Sequence, residues 1–127
     1  MRGGTELGRV RGLGSAHEGT GHWWHQRLTA GSNLLLMAWL MISIARMGSY
    51  DFAGVHAWLA NGWAAVPMAL LVLSVFYHAR LGLQVVIEDY RHDETRVVAM
   101  VALNLFIVAC VATALFAILK VALGASL

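Results

Sequence analysis

The chain has 127 residues, 59% of them hydrophobic and 13% charged, with a formal net charge of +2 and a mean hydropathy of +0.66. That balance excludes an ordinary soluble domain, whose apolar residues alternate with polar ones at helix or strand period. The nine basic residues are scattered and form no run, which sets nucleic acid aside, and the one cysteine, Cys110, excludes an intrachain disulfide and a CxxCH haem attachment.

The first 26 residues are Gly-rich and polar, with Arg2, Arg9 and Arg11. They lack the apolar core of a secretory signal and are expected to be retained as a cytoplasmic N-terminal segment. His17, His22 and His25 fall here, but no acid or cysteine is placed to complete a tetrahedral metal set. Residues 27–127 are expected to form one transmembrane domain. A spanning helix needs about 20 mainly apolar residues to cross roughly 30 Å of hydrocarbon, and runs over about 28–47, 63–87 and 97–119 satisfy this. The fold class expected is therefore an all-α membrane protein of three transmembrane helices. Three helices close around little by themselves, so a pocket for a cofactor or substrate calls for helices of a partner chain, in a heteromeric anchor bundle.

Residues 48–62, rich in Gly, Asp and Asn, and 88–96, with six charged residues and a histidine, are expected to be interfacial loops. Arg2, Arg9, Arg11, Arg27, Arg91 and Arg96 fall on one side of the spans, Arg46 and Lys120 on the other. The positive-inside rule then puts the N-terminus in the cytoplasm and the C-terminus outside. Trp23, Trp24, Trp58 and Trp63 sit at expected span ends, where indole rings favour the headgroup region.

The second span carries the chemistry. Ionisable side chains in hydrocarbon are costly, so His78 and Arg80 call for a partner or a function. His78 precedes Glu88 by ten residues, roughly 15 Å along a helix, which puts it near the bilayer centre. At about 100° per residue, Ser74, His78, Gly82, Val85 and Asp89 share one stripe, and Arg80 points away from it. Such a stripe suits a porphyrin with imidazole as axial ligand; it equally suits a histidine that hydrogen-bonds a neighbouring helix across a close contact at Gly82. No other histidine lies at this depth, so a second imidazole ligand would come from another polypeptide. Arg80 either snorkels to the interface on its long stem or pairs with an anion such as a haem propionate or a carboxylate on a partner helix.

The stretch His78-Ala-Arg-Leu-Gly82-Leu-Gln84-Val-Val-Ile-Glu-Asp89-Tyr90 resembles the pattern His, three residues, Gly, six residues, Asp-Tyr of the smaller hydrophobic membrane anchor family of succinate dehydrogenase, respiratory complex II. Upstream, His22-Trp23-Trp24-His25-Gln26-Arg27-Leu28-Thr29-Ala30 is similar to the family's entry into its first helix. Two features depart from the pattern: the family often has an aromatic where Arg80 stands, and its glutamine usually lies one position later than Gln84.

The resemblance implies that His78 is one axial ligand of a b-type haem whose other ligand comes from the larger anchor, the cytochrome b chain. It implies that Tyr90 and Asp89 belong to a ubiquinone site on the cytoplasmic side, fed with electrons by the iron–sulfur subunit. Arg27, expected level with Tyr90, would stabilise the partly reduced quinone, orient Tyr90 or bind a haem propionate, or serve only as a positive-inside anchor. Asp89 would relay protons or hold Arg27 or Tyr90 in place; the plain alternative is a loop acid beside an interfacial aromatic. FAD and iron–sulfur clusters would belong to the flavoprotein and iron–sulfur partners, since this chain has neither a dinucleotide fingerprint nor clustered cysteines. The function implied is an anchor of succinate:ubiquinone oxidoreductase in a bacterial cytoplasmic (inner) membrane, active in the tricarboxylic acid cycle and respiratory chain but not catalytic alone. The alternatives are a fumarate reductase anchor or a haem-free structural membrane subunit.

Overall fold

The computed structural model describes residues 19–91 and 93–124. Within them the chain forms four helices and no strand: α1 (Gly19–Ala45), α2 (Phe52–Leu59), α3 (Gly62–Tyr90) and α4 (Glu94–Ala122). Three of these, α1, α3 and α4, are long and apolar enough to cross a membrane. Their 27, 29 and 29 residues correspond to roughly 40–44 Å, which covers the hydrocarbon and part of both interfaces.

The helices outrun the apolar stretches that mark them. α1 begins at Gly19 rather than near 28, α3 runs on through Glu88, Asp89 and Tyr90, and α4 starts at Glu94 rather than near 97. Hydropathy records where side chains can face lipid, whereas the backbone goes on satisfying its own hydrogen bonds into the headgroup region. His17 and His92 lie outside the described residues.

Residues 48–62, expected as a loop, contain the eight-residue α2. Asp51 is its N-cap, accepting from the Gly54 backbone N–H at 2.8 Å and from the Ser49 hydroxyl at 2.6 Å. Those hydrogen bonds, the Ser49 one first, hold the Asp51 carboxyl below its ordinary value of 3.8, because they stabilise the charged form. Gly54 is required by close approach: a Cβ there would lie 2.6 Å from the Ser49 carbonyl oxygen and 2.9 Å from Asp51 Oδ1. Trp58 stacks on Trp39 of α1, with centroids 6.0 Å apart and planes at 24°, which ties the short helix to the bundle.

α3 is central. It packs against α1 on one side and α4 on the other, and α1 and α4 make no comparable approach to each other. The buried core consists of Ala64, Ala65, Leu71 and Leu81 on α3 with Leu103, Ile107 and Ile118 on α4. α1 contributes none of these residues. Leu34, Leu35, Val98, Leu105 and Phe106 are largely exposed, an arrangement that water would penalise and lipid accommodates.

Candidate functional site

The stripe expected on α3 faces α1. His78, half-buried, places Nδ1 2.9 Å from Thr29 Oγ1. Ser74 donates to the Thr29 carbonyl at 3.5 Å, and one turn beyond His78 a Cβ on Gly82 would meet only Gln26 Nε2, at 3.8 Å. Arg80 takes the other side of the helix, where its Nε donates to Asn104 Oδ1 of α4 at 2.6 Å. Within this chain the guanidinium is held beside a neutral amide rather than drawn to the interface.

Thr29 Oγ1 also lies within reach of the carbonyl oxygens of His25, at 2.8 Å, and Gln26, at 3.1 Å. When its single hydrogen goes to one of them, the hydroxyl accepts from Nδ1–H of His78, and Nε2 then presents a lone pair. In that tautomer a histidine that supports a neighbouring helix and one that ligates iron are compatible, since they use opposite nitrogens.

His78 is the residue here that would hold a haem, which would supply one-electron redox chemistry. Among the described residues no group of three or more His, Cys, Asp or Glu could hold a metal ion, which leaves no protein-built tetrahedral site. A single imidazole with Nε2 open, beside a position without a side chain, is what one face of a porphyrin requires. The other described histidines are placed elsewhere: His22 is in the first turns of α1, His25 Nδ1 is 3.1 Å from the Tyr77 hydroxyl, and His56 is in α2.

The candidates expected at the cytoplasmic end are only partly brought together. Asp89 and Tyr90 are the last two residues of α3; Tyr90 is 82% exposed and Asp89 is exposed as well. Arg27 stacks over Trp23, its Cζ 4.6 Å from the ring centroid. The pairing of Thr29 with His78 and of Gln26 with Gly82 puts Arg27 level with Leu81, nine residues or roughly 14 Å from Tyr90 along α3. The expectation that Arg27 lies level with Tyr90 is thus corrected: α1 starts eight residues before Arg27, so the arginine sits inside the helix rather than at its mouth. No hydrogen bond or ion pair joins it to Asp89 or Tyr90 among the described residues.

Sequence reasoning missed Thr29, Asn104 and the Tyr77–His25 contact. A signal existed for the first: His22, Gln26, Thr29 and Asn33 recur at helical spacing on α1. Three atoms of that face, His22 Nε2, Gln26 Oε1 and Asn33 Oδ1, are shielded from solvent without a partner among the described residues. For Asn104 the signal was a lone amide in an otherwise apolar run.

Comparison with known proteins bears on the whole chain. Residues 1–119 match the family described as succinate dehydrogenase/fumarate reductase transmembrane subunit. The succinate dehydrogenase hydrophobic membrane anchor subunit of Paracoccus denitrificans is 33% identical over 116 residues, covering 91% of this chain and 90% of the relative. The protein of the same description from Rickettsia bellii (strain RML369-C) is 33% identical over 103 residues, covering 80% and 82%. That from Rickettsia conorii (strain ATCC VR-613 / Malish 7) is 31% identical over 111 residues, covering 86% of each. No solved structure matches.

Proposed function

The chain belongs to the succinate dehydrogenase/fumarate reductase transmembrane subunit family, as a membrane anchor of succinate dehydrogenase, and from that premise we propose that it binds a b-type haem through His78 and helps form the site of ubiquinone reduction. The observation that carries the reading is the Thr29–His78 hydrogen bond of 2.9 Å, which commits Nδ1 and leaves Nε2 free. Bound there, haem would supply one-electron redox chemistry. Thr29 fixes the orientation of the ring, as partners of ligating histidines generally do. The second ligand comes from the larger anchor, the cytochrome b chain. The orphaned polar atoms of α1 mark a region whose hydrogen bonds this chain does not complete by itself, because buried polar atoms are normally paired.

At the other end of α3, the exposed phenol of Tyr90 donates a hydrogen bond to a ubiquinone carbonyl, and that bond strengthens as negative charge builds on the oxygen. Asp89 beside it hands on protons to the reduced quinone. Arg27, two residues before Thr29 on α1, lends positive charge to the region between haem and quinone. Electrons arrive from the iron–sulfur partner, which with the flavoprotein holds the clusters and FAD. The chain thus contributes to succinate oxidation in the tricarboxylic acid cycle and respiratory chain without performing it. Its place is the bacterial inner membrane, with the Tyr90 end of α3 cytoplasmic; a reporter inserted in the α3–α4 turn that reports an outside location would overturn that orientation.

The test is His78→Leu in the affinity-purified complex. The reduced-minus-oxidised spectrum should lose or shift its b-type band while co-purifying flavin is retained. An unchanged band with normal haem content would eliminate His78 as a ligand. A wild-type complex with no haem band would favour a purely structural anchor.

A further inference from the structure

We propose that α2 is an interfacial helix that inserts the side chains of Phe52 and Val55 among lipids at the boundary between headgroups and acyl chains, at the end of the bundle away from Tyr90. The depth follows from the register of the spans. Thr29 and His78 are paired, and Trp39 lies ten residues, roughly 15 Å, beyond Thr29 on α1. With His78 near the bilayer centre, that distance is half of the roughly 30 Å of hydrocarbon. Trp58 of α2 stacks on Trp39, so α2 reaches the edge of the hydrocarbon rather than standing in water above it. Trp63, 87% exposed, and Tyr50, whose hydroxyl donates to the Ile44 carbonyl at 3.1 Å, complete a belt of aromatic residues of the kind that marks this layer.

The composition of α2 selects lipid as what covers it. None of its eight residues is charged, and His56 is the one polar residue among them. Trp58 turns towards α1, whereas Phe52 is 85% exposed and Val55 41%; Ala53, His56 and Ala57 are exposed as well. The His56 ring lies against Phe52, with centroids 5.8 Å apart, so its apolar body extends the patch while its nitrogens can reach headgroups. Polar residues flank the helix at both ends, Ser49 and Asp51 before it and Asn61 after it, as in a helix that lies along the interface with its ends among headgroups. The bundle has a lipid-facing surface at the same depth: Met41 and Ile42 on α1, Val66 on α3 and Phe116 on α4 are each more than half exposed, and the exposed side of α2 continues it. An eight-residue helix is roughly 12 Å long, far too short to offer the roughly 800 Å² that a specific protein partner covers, whereas lipid imposes no such minimum. The inference needs the spans alone and stands apart from the haem and quinone reading.

Photo-crosslinking of the assembled complex in vesicles of dioleoylphosphatidylcholine tests it. With p-benzoylphenylalanine in place of Phe52 or of His56, irradiation should raise the mass of this chain by one phospholipid. In place of Trp58, which stacks on α1, the same group should give only a small fraction of that adduct. A crosslink from either exposed position to a partner protein, or no adduct at either, would overturn the proposal, and so would equal lipid adducts in place of Phe52 and of Trp58. Phe52→Asp should raise deuterium exchange of the α2 amides several-fold in the same vesicles, and Phe52→Leu should leave it unchanged; equal exchange in the two variants would likewise overturn insertion. Should the complex not assemble with Phe52 replaced, the His56 position still decides.

Discussion

The two seams of α3 are built differently. Against α4 it packs: Leu103 and Ile107 on α4 are buried, and the polar contacts there, Arg80 with Asn104 and Glu88 with Arg96, involve charge. Against α1 it is held by hydrogen bonds to Thr29 and between Tyr77 and His25, and among the described residues none of α1 is buried and three polar atoms there lack a partner. Between membrane helices there is little hydrophobic drive, so close packing gives stability and directed hydrogen bonds give placement. The α4 seam thus stabilises α3, while the α1 seam sets how His78 is presented.

The sharpest way to break this contrast is by truncation. Leu103 is 9% exposed and Leu35 is 73% exposed. Leu103→Ala should cost about 2–5 kcal/mol through lost contacts and a cavity, and Leu35→Ala close to nothing by that mechanism. Denaturant unfolding of the detergent-solubilised chain measures both. Equal losses would mean that α1 is packed as tightly as α4, and the distinction between the seams would fail.

Tyr90 lies beyond both seams, so its substitution should move function and leave stability alone. Tyr90→Phe keeps the ring and removes the hydroxyl. If that hydroxyl donates to the quinone, quinone reduction should fall by about 1–3 kcal/mol of transition-state stabilisation, roughly five- to a hundredfold. Succinate oxidation by a soluble dye that takes electrons upstream should be nearly unchanged. Normal quinone reduction in a complex with normal haem content would reduce Tyr90 to an interfacial anchor.

Thr29→Val tests whether the α1 seam places rather than stabilises. The substitution removes the hydroxyl that meets His78 Nδ1, a bond worth about 0.5–1.5 kcal/mol net, in nearly the same volume. If His78 holds a haem, the haem electron paramagnetic resonance signal and midpoint potential should shift, with assembly intact, and Thr29→Ser should restore both. A spectrum and potential that ignore Thr29→Val would show that other contacts orient the ring.

How much of this was legible in the sequence follows from the same physics. Three apolar runs announced three spans, because bilayer thickness dictates their length. The i, i+4 spacing placed Ser74, His78 and Gly82 on one side of α3 and Arg80 on the other, and the fold agrees. Helix ends were not legible, because polar residues such as His22, Gln26 and Glu88 continue a helix without raising hydropathy; that hid the true depth of Arg27. α2 was obscured by the Gly, Asp and Asn around it, although Asp51 three residues before Gly54 is a capping arrangement. Partners such as Thr29 and Asn104 depend on which helices meet and in what register, and one chain's periodicity does not encode that.

The smallest expected effect lies outside both seams, at the cap of α2, and depends on pH. Asp51 is exposed, and its carboxyl is held below 3.8 by the Ser49 hydroxyl and then by the Gly54 N–H. A carboxyl whose folded value is depressed contributes stability that is fully present above the unfolded value and is lost as pH falls through the folded one. Amide protection in α2, corrected for intrinsic exchange, should therefore hold at neutral pH and decline only below about 4. Asp51→Asn retains an acceptor for the Gly54 N–H but has no proton to gain, so its protection should stay flat over the same range. Asp51→Ala should lower protection at every pH, because the cap is absent throughout. The effect should remain confined to α2: Trp58 still stacks on Trp39, and neither seam of α3 includes Asp51. Acid-induced loss of protection that also appears in Asp51→Asn would place the titrating group elsewhere.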